Sequence, residues 1–255
     1  MRKVLLTKKL KENTAKLFEG IPDIELVTIP DGAQEQFDAH IKDAEALLLS
    51  TAYKMTREVI ERAANLKVIS RTGVGVDNVD VKAATEKGIL VLNTPEANSI
   101  SVAEHTLALI VAISKQLVMY DSELRVGNFA IRRTNMSVDI DGKTLGLIGC
   151  GRIGRFTAEK CKAAFNMNVI GYDPYIKELP GITLYENIED VFAKADYVSL
   201  HLPLTDETRN LVGESLLSKM KPTAFLINTS RGGIVDEAAL ARMLKDGRIA
   251  GAALD

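Results

Sequence analysis

Apolar and polar positions along this chain follow two rhythms that alternate. Val4-Leu5-Leu6-Thr7 is a short apolar run, and Lys9 to Glu19 then has helical spacing, stopped by Gly20. The pair of rhythms returns as Ile24 to Ile29 with a helix near Gln34 to Ile41, then as Ala46 to Leu49 with a helix over Arg57 to Ala64. Leu66 to Ile69, a helix over Val79 to Lys87 and Ile89 to Val91 complete the first series. Apolar strands alternating with helices predict βαβ units, and so an α/β fold with a parallel sheet. Asn93-Thr94-Pro95 interrupts the pattern, which places a first domain over 1–98 and a second over 99–255.

From Ser99 to about Tyr120 the spacing predicts one long helix that is apolar on more than one face. Such a helix is either part of a core or buried between domains or subunits, and its place just after a boundary favours an interface. Arg125 to Asp139 is irregular and reads as an arm or loop. A second α/β series begins at Leu145, with strands at Val169 to Asp173, Tyr197 to Leu200, Ala224 to Asn228 and Ile249 to Leu254, and a helix from Asp236 to Lys245 that Asp236 caps. A doubly wound sheet follows, with any ligand at the carboxyl ends of its strands. His201-Leu202-Pro203, Asn228-Thr229-Ser230-Arg231 and Asp255 all fall at such ends.

The second series opens with the densest chemistry. Leu145 to Gly149 is a strand, Gly149-Cys150-Gly151-Arg152-Ile153-Gly154 is a G-x-G-x-x-G turn, and a helix then leads to a strand closed by Asp173. Gly149 permits the sharp turn, Gly151 lets the backbone approach a pyrophosphate, and Gly154 lets the helix pack against the sheet. The helix start aims free N–H groups at phosphate. Asp173, about twenty residues on, suits the ribose hydroxyls and repels a 2′-phosphate, which favours NAD over NADP.

Composition adds mostly exclusions. The 255 residues suit two domains, and 46% hydrophobic with 26% charged residues is ordinary for a globular protein. A formal charge of −2, 5% aromatics and no Trp give no argument for nucleic acid or an anionic membrane. Cys150 and Cys161 form no metal pattern, so no metal site is expected, and with no leader-like start they suggest a reducing cytoplasm. The apolar stretch Leu107 to Ile113 is too short to span a bilayer.

Several stretches, in this order, resemble one family. Arg71 to Asp80, Gly149 to Gly154, His201 to Thr205, Asn228 to Asp236 and Gly251 to Asp255 look like the D-isomer-specific 2-hydroxyacid dehydrogenases, and the Arg71 to Asp80 loop looks most like the branch acting on 3-phosphoglycerate, in serine biosynthesis. The resemblance implies a flavodoxin-like substrate domain and a Rossmann-type NAD domain. It implies hydride transfer between NAD and a 2-hydroxy or 2-keto acid, and a homodimer through the 99–140 region. By the same resemblance Val74 and Gly75 would hold the substrate carboxylate with Asn98 nearby, Val74 also touching the cofactor. Arg231 would clamp that carboxylate as the catalytic cation, although an arginine beside Gly232-Gly233 can also be a plain surface or cap residue. Arg152, Ile153, Leu202, Pro203, Thr208, Thr229, Ser230 and Asp255 would line the NAD site with the glycine turn. Lys54, Arg71, Arg132 and Arg133 would hold a substrate phosphate, or simply be solvated.

The family places its acid/base glutamate and histidine after the position of Asp255, where this sequence stops. The expectation is therefore impaired turnover in the 255-residue chain, missing C-terminal elements and exposed apolar surface. Of the three histidines, His40 reads as a surface residue, His105 as a packed one, and His201 lies at the candidate crevice. The alternative is an NAD-sensing interaction protein of the same fold without turnover.

Overall fold

A computed structural model describes residues 1–255 and divides into two compact units, Met1–Asn98 and Ser99–Asp255. In the first unit the elements run β1 (Arg2–Leu6), α1 (Glu12–Ala15), β2 (Ile24–Thr28), α2 (Gln34–His40), β3 (Ala46–Leu49), α3 (Arg57–Arg62), β4 (Val68–Arg71), α4 (Val81–Glu86) and β5 (Leu90–Leu92). The five strands are parallel in the order β2-β1-β3-β4-β5, the flavodoxin-like winding. Thr56 and Asp80 start α3 and α4 by accepting the Val59 and Ala83 amides. β4 begins two residues later than the apolar run suggested, because buried Leu66 belongs to the preceding turn.

The second unit opens with α5 (Ser99–Ser114) and α6 (Leu117–Arg125). The single helix expected to Tyr120 is thus two, bent by 57°. Gln116 causes the break: it takes the left-handed conformation (φ 51°, ψ 37°), and its Nε2 donates to Met136 O, tying the bend to the arm. The buried stripe of α5 is Ser99, Ala103, Thr106, Ile110 and Ser114. Small residues at that spacing let the helix lie close to its neighbours, and two hydroxyls fix it: Thr106 Oγ1 is 2.8 Å from Thr229 Oγ1, and Ser114 Oγ is 2.8 Å from the Tyr197 hydroxyl.

The unit continues β6 (Thr144–Ile148), α7 (Arg152–Phe165), β7 (Asn168–Tyr172), β8 (Thr183–Leu184), α8 (Ile188–Lys194), β9 (Tyr197–Leu200), α9 (Glu214–Leu217), β10 (Phe225–Asn228), α10 (Glu237–Lys245) and β11 (Gly251–Leu254). Its six parallel strands lie in the order β11-β10-β9-β6-β7-β8, which in chain order is the doubly wound 3-2-1-4-5-6. Side chains alternate between two apolar layers, as a pleated strand requires. Leu145, Leu147, Tyr197, Phe225 and Ile227 face one, with α5 and α7; Ile148, Val198, Leu200 and Leu226 face the other, with α8, α9 and α10. No single helix is long and apolar enough to cross a membrane.

Candidate cofactor site and substrate loop

The strand register of the second unit decides where its polar groups collect. Tyr172 pairs with Ile148, Ile148 with Leu200, Leu200 with Asn228, and Asn228 with Leu254. The next residue on each strand is Asp173, Gly149, His201, Thr229 or Asp255. One row of the sheet therefore presents the glycine turn, the distal acid and the other strand ends on its carboxyl edge.

Gly149 holds φ +93°, and a Cβ there would lie 2.6 Å from His201 O. A Cβ on Gly154 would lie 2.4 Å from Gly149 O, so the start of α7 presses directly on the turn. Gly151 differs: a Cβ on it would meet nothing within 4 Å. The turn is closed behind and open in front. Gly151 is also the N-cap of α7 and offers no side-chain acceptor, so the positive end of this 14-residue helix meets the open face of the turn without a capping side chain. Arg155 Nε donates to Cys150 O and steadies the turn at 3.0 Å. Exposed Arg152 and half-buried Ile153 form its outer lip.

Asp173 accepts only backbone amides: Cys150 at 2.9 Å, Tyr175 at 2.9 Å and Ile176 at 3.2 Å. The Cys150 bond locks the acid to the glycine turn. A carboxylate has about four lone-pair directions, so capacity remains for sugar hydroxyls. An open turn, an uncapped helix start and an oriented acid fit a dinucleotide's diphosphate and ribose.

The other strand ends are more internally committed. His201 Nε2 is 2.9 Å from the buried Ser199 hydroxyl, and burial pushes the imidazole down to about 4. Thr208 Oγ1 donates to Pro203 O at 2.6 Å and accepts from Thr205 N at 2.8 Å, so the Thr208 hydroxyl closes the Pro203–Thr208 turn. Leu202 is half-buried beside Gly149. The Thr229 hydroxyl, expected to line the cofactor, is held by Thr106 instead, because Thr229 is 8% exposed and faces α5. Ser230 N and Oγ donate to Asn228 Oδ1 at 3.0 and 2.7 Å, and Asn228 Nδ2 donates to Arg231 O at 2.9 Å. Asp255 is exposed and donates its amide to Asn228 O.

In the first unit the loops after β3 and β4 run together. Met55 bridges Val79, and Asn78 Nδ2 donates to Ser50 O at 2.9 Å and Tyr53 O at 2.8 Å. Arg71 was expected to offer its charge to a phosphate, but it is 5% exposed, with Nε on Asn78 Oδ1 and Nη1 on Thr72 O. It lies under the loop because β4 ends with it pointing inward. Val74 and Gly75 are half-buried, and Asn93 Nδ2 holds Val74 O at 2.7 Å. Lys54 and Asn98 are exposed in this unit. In the second unit Arg132 and Arg133 are exposed on the arm, Arg132 lying 4.3 Å over Phe129. Sequence reasoning gave no role to Asn78 or Asn228, the two amides that organise these loops. An asparagine in a turn, whose amide can bond to nearby backbone, was the available signal.

A family model for the D-isomer specific 2-hydroxyacid dehydrogenase NAD binding domain matches residues 107–255. The chain belongs to this family. Its curated relatives include the D-3-phosphoglycerate dehydrogenase of Methanocaldococcus jannaschii, 44% identical over 259 residues, covering 100% of this chain and 49% of the relative. The same enzyme of Mycobacterium bovis is 41% identical over 257 residues, covering 99% and 48%. The chain thus spans about half the length of the curated relatives it matches. Among solved structures, a D-lactate dehydrogenase from Aquifex aeolicus complexed with NAD and lactic acid superposes with a TM-score of 0.89 at 32% identity, covering 99% of this chain and 76% of that one. An acyclic imino acid reductase in complex with NADPH and D-Arg gives 0.90 at 33%, covering 99% and 82%. For this member of the dehydrogenase family, the NAD-binding domain named by the match includes the Gly149–Gly154 turn, Asp173 and Arg231.

Proposed function

We propose that this protein catalyses hydride transfer between NAD and a small 2-hydroxy acid, with 3-phosphoglycerate or a similar acid as substrate and so a place in serine biosynthesis. One observation carries the reading. The carboxyl edge of a single doubly wound sheet bears an open phosphate turn and a ribose acid on one side of its switch point, and a braced arginine turn on the other.

Bound NAD supplies the hydride acceptor at its nicotinamide. The chain's own groups bind and orient the two reactants, and none of them is assigned the substrate's hydroxyl proton. Gly151 and the α7 amides hold the diphosphate, and Asp173 takes the ribose hydroxyls. Leu202 and Pro203 line the dinucleotide's path, with Thr208 shaping their turn and Ser230 and Asp255 flanking the crevice. Arg231 clamps the substrate carboxylate with the planar fork that a guanidinium offers and an ammonium does not. Val74, Gly75, Lys54 and Asn98 are read as the substrate residues that the first unit contributes. His201 takes no part in proton transfer in this scheme: its Nε2 is engaged by Ser199, and burial has removed its basicity near neutral pH. The protein is further read as a cytoplasmic homodimer joined through 99–140, where Val118, Val126 and Met136 stand 79%, 79% and 82% exposed.

The test is direct. NAD⁺ is mixed with the protein and with D-3-phosphoglycerate, D-lactate or D-glycerate, and NADH formation is followed by absorbance. Substrate-dependent NADH that disappears in Arg231→Ala supports the reading. Tight NADH binding with no oxidation of any of these acids overturns the catalytic part.

A further inference from the structure

Asn228 ends β10 and is 3% exposed. Its backbone belongs to the sheet: it pairs with Leu200 and Leu254, and its carbonyl accepts the Asp255 amide at 3.0 Å. Its side chain serves none of these neighbours. All three of its side-chain bonds go to Ser230 and Arg231, with Oδ1 accepting the Ser230 amide and hydroxyl and Nδ2 donating to Arg231 O. The chain beyond adds only backbone contacts, Ile234 N donating to the same Arg231 carbonyl at 3.3 Å, because Gly232 and Gly233 have no side chains.

We infer that Asn228 is a positioning residue for Arg231: its buried amide fixes the turn from which the guanidinium reaches the substrate carboxylate. The inference rests on the reading of Arg231 given above. Only a primary amide can do both halves of the task, accepting two donors from Ser230 while donating to the Arg231 carbonyl. Aspartate keeps the accepting half and sets a carboxylate against that carbonyl. Alanine removes both halves. The turn would then sample several backbone states, and a bidentate clamp misplaced by an ångström loses its match to a carboxylate.

The experiment uses the 255-residue protein and two probes, NADH and the unreactive 2-oxo acid analogue oxamate, both followed by NADH fluorescence. Asn228→Ala should weaken oxamate binding roughly tenfold, the scale of the lost hydrogen bonds. NADH affinity should change several-fold less. Asn228→Asp and Ser230→Ala, which each keep part of the brace, should fall between wild type and Asn228→Ala, and they carry the test if alanine prevents folding. The deciding comparison is the cycle with Arg231→Ala: if Asn228 acts through Arg231, the double variant binds oxamate no more weakly than Arg231→Ala alone. Additive losses, or equal losses of NADH and oxamate, would make Asn228 a general structural residue and overturn the inference. If Arg231→Ala itself leaves oxamate binding unchanged, the reading of Arg231 fails first, and that result is distinguishable from failure of the brace.

Discussion

At the scale of single residues the three glycines of the turn do different work, and substitution should separate them. Gly149→Ala meets both a positive φ and a backbone oxygen at 2.6 Å. It should destabilise the fold by about 1–3 kcal/mol and abolish NADH binding together. Gly151→Ala has open space around its Cβ. It should leave thermal unfolding nearly unchanged and still weaken NADH binding, since the methyl occupies the approach of the diphosphate. Fluorescence titration beside a melting curve distinguishes the two. His201 gives a pH signature. Its imidazole is pushed down to about 4 by burial, whereas the unfolded chain takes that proton near its ordinary value of 6.5. Its contribution to stability is therefore complete above pH 6.5 and declines as pH falls toward 4, because the unfolded state then binds the extra proton. Urea midpoints measured across this window should fall less steeply in His201→Gln than in wild type; equal slopes would show that His201 is not the titrating group. Cys150 and Cys161 are both raised to about 12, first by burial and, for Cys150, by the nearby Asp173 carboxylate as well. Neither should react with iodoacetamide until the second unit unfolds.

At the scale of elements the notable event is the break between α5 and α6. Hydrophobic spacing runs on through Tyr120 and gives no hint of it, because the left-handed turn at Gln116 is fixed by a contact with Met136 O from a distant arm. Alternation of strands and helices, by contrast, was legible almost throughout, since each element carries its own periodicity. The cap at Asp236 was legible for the same local reason, and its carboxylate accepts the Ala239 amide at 3.0 Å. The hydroxyl pair of Thr106 and Thr229 was not, for the partners are 123 positions apart. Thr106→Val should cost about 1 kcal/mol in chemical denaturation by leaving the Thr229 hydroxyl buried without its partner. If α5 instead shifts to let Thr229 turn toward the crevice, NADH affinity will change as well.

For the whole molecule, two units with separate sheets and separate apolar cores imply separable responses to ligand. NADH at one hundred times its dissociation constant should raise the stability of the second unit by about 2.7 kcal/mol. Calorimetry would show this as a shift confined to the transition of residues 99–255. The exposed apolar arm makes a prediction about assembly. Val118→Glu or Phe129→Glu should turn the proposed dimer into a monomer in sedimentation velocity, and an unchanged sedimentation coefficient would remove this face from the proposed interface.

The amino-acid sequence by itself determined the parallel α/β class, the two domains as an expectation, the glycine turn with its distal acid, and the family. Each of these is written in local spacing: period two, period three and a half, glycines at fixed offsets. Tertiary structure alone decided which strand ends stand in one row, that Asp173 is clasped by the Cys150 amide, that Arg71 lies beneath its loop rather than over a ligand, and that Asn228 holds the arginine turn. The physical reason is the same for all four. A side chain's direction and partners are set by chain segments far away in sequence, and no local pattern of residues records where those segments come to rest.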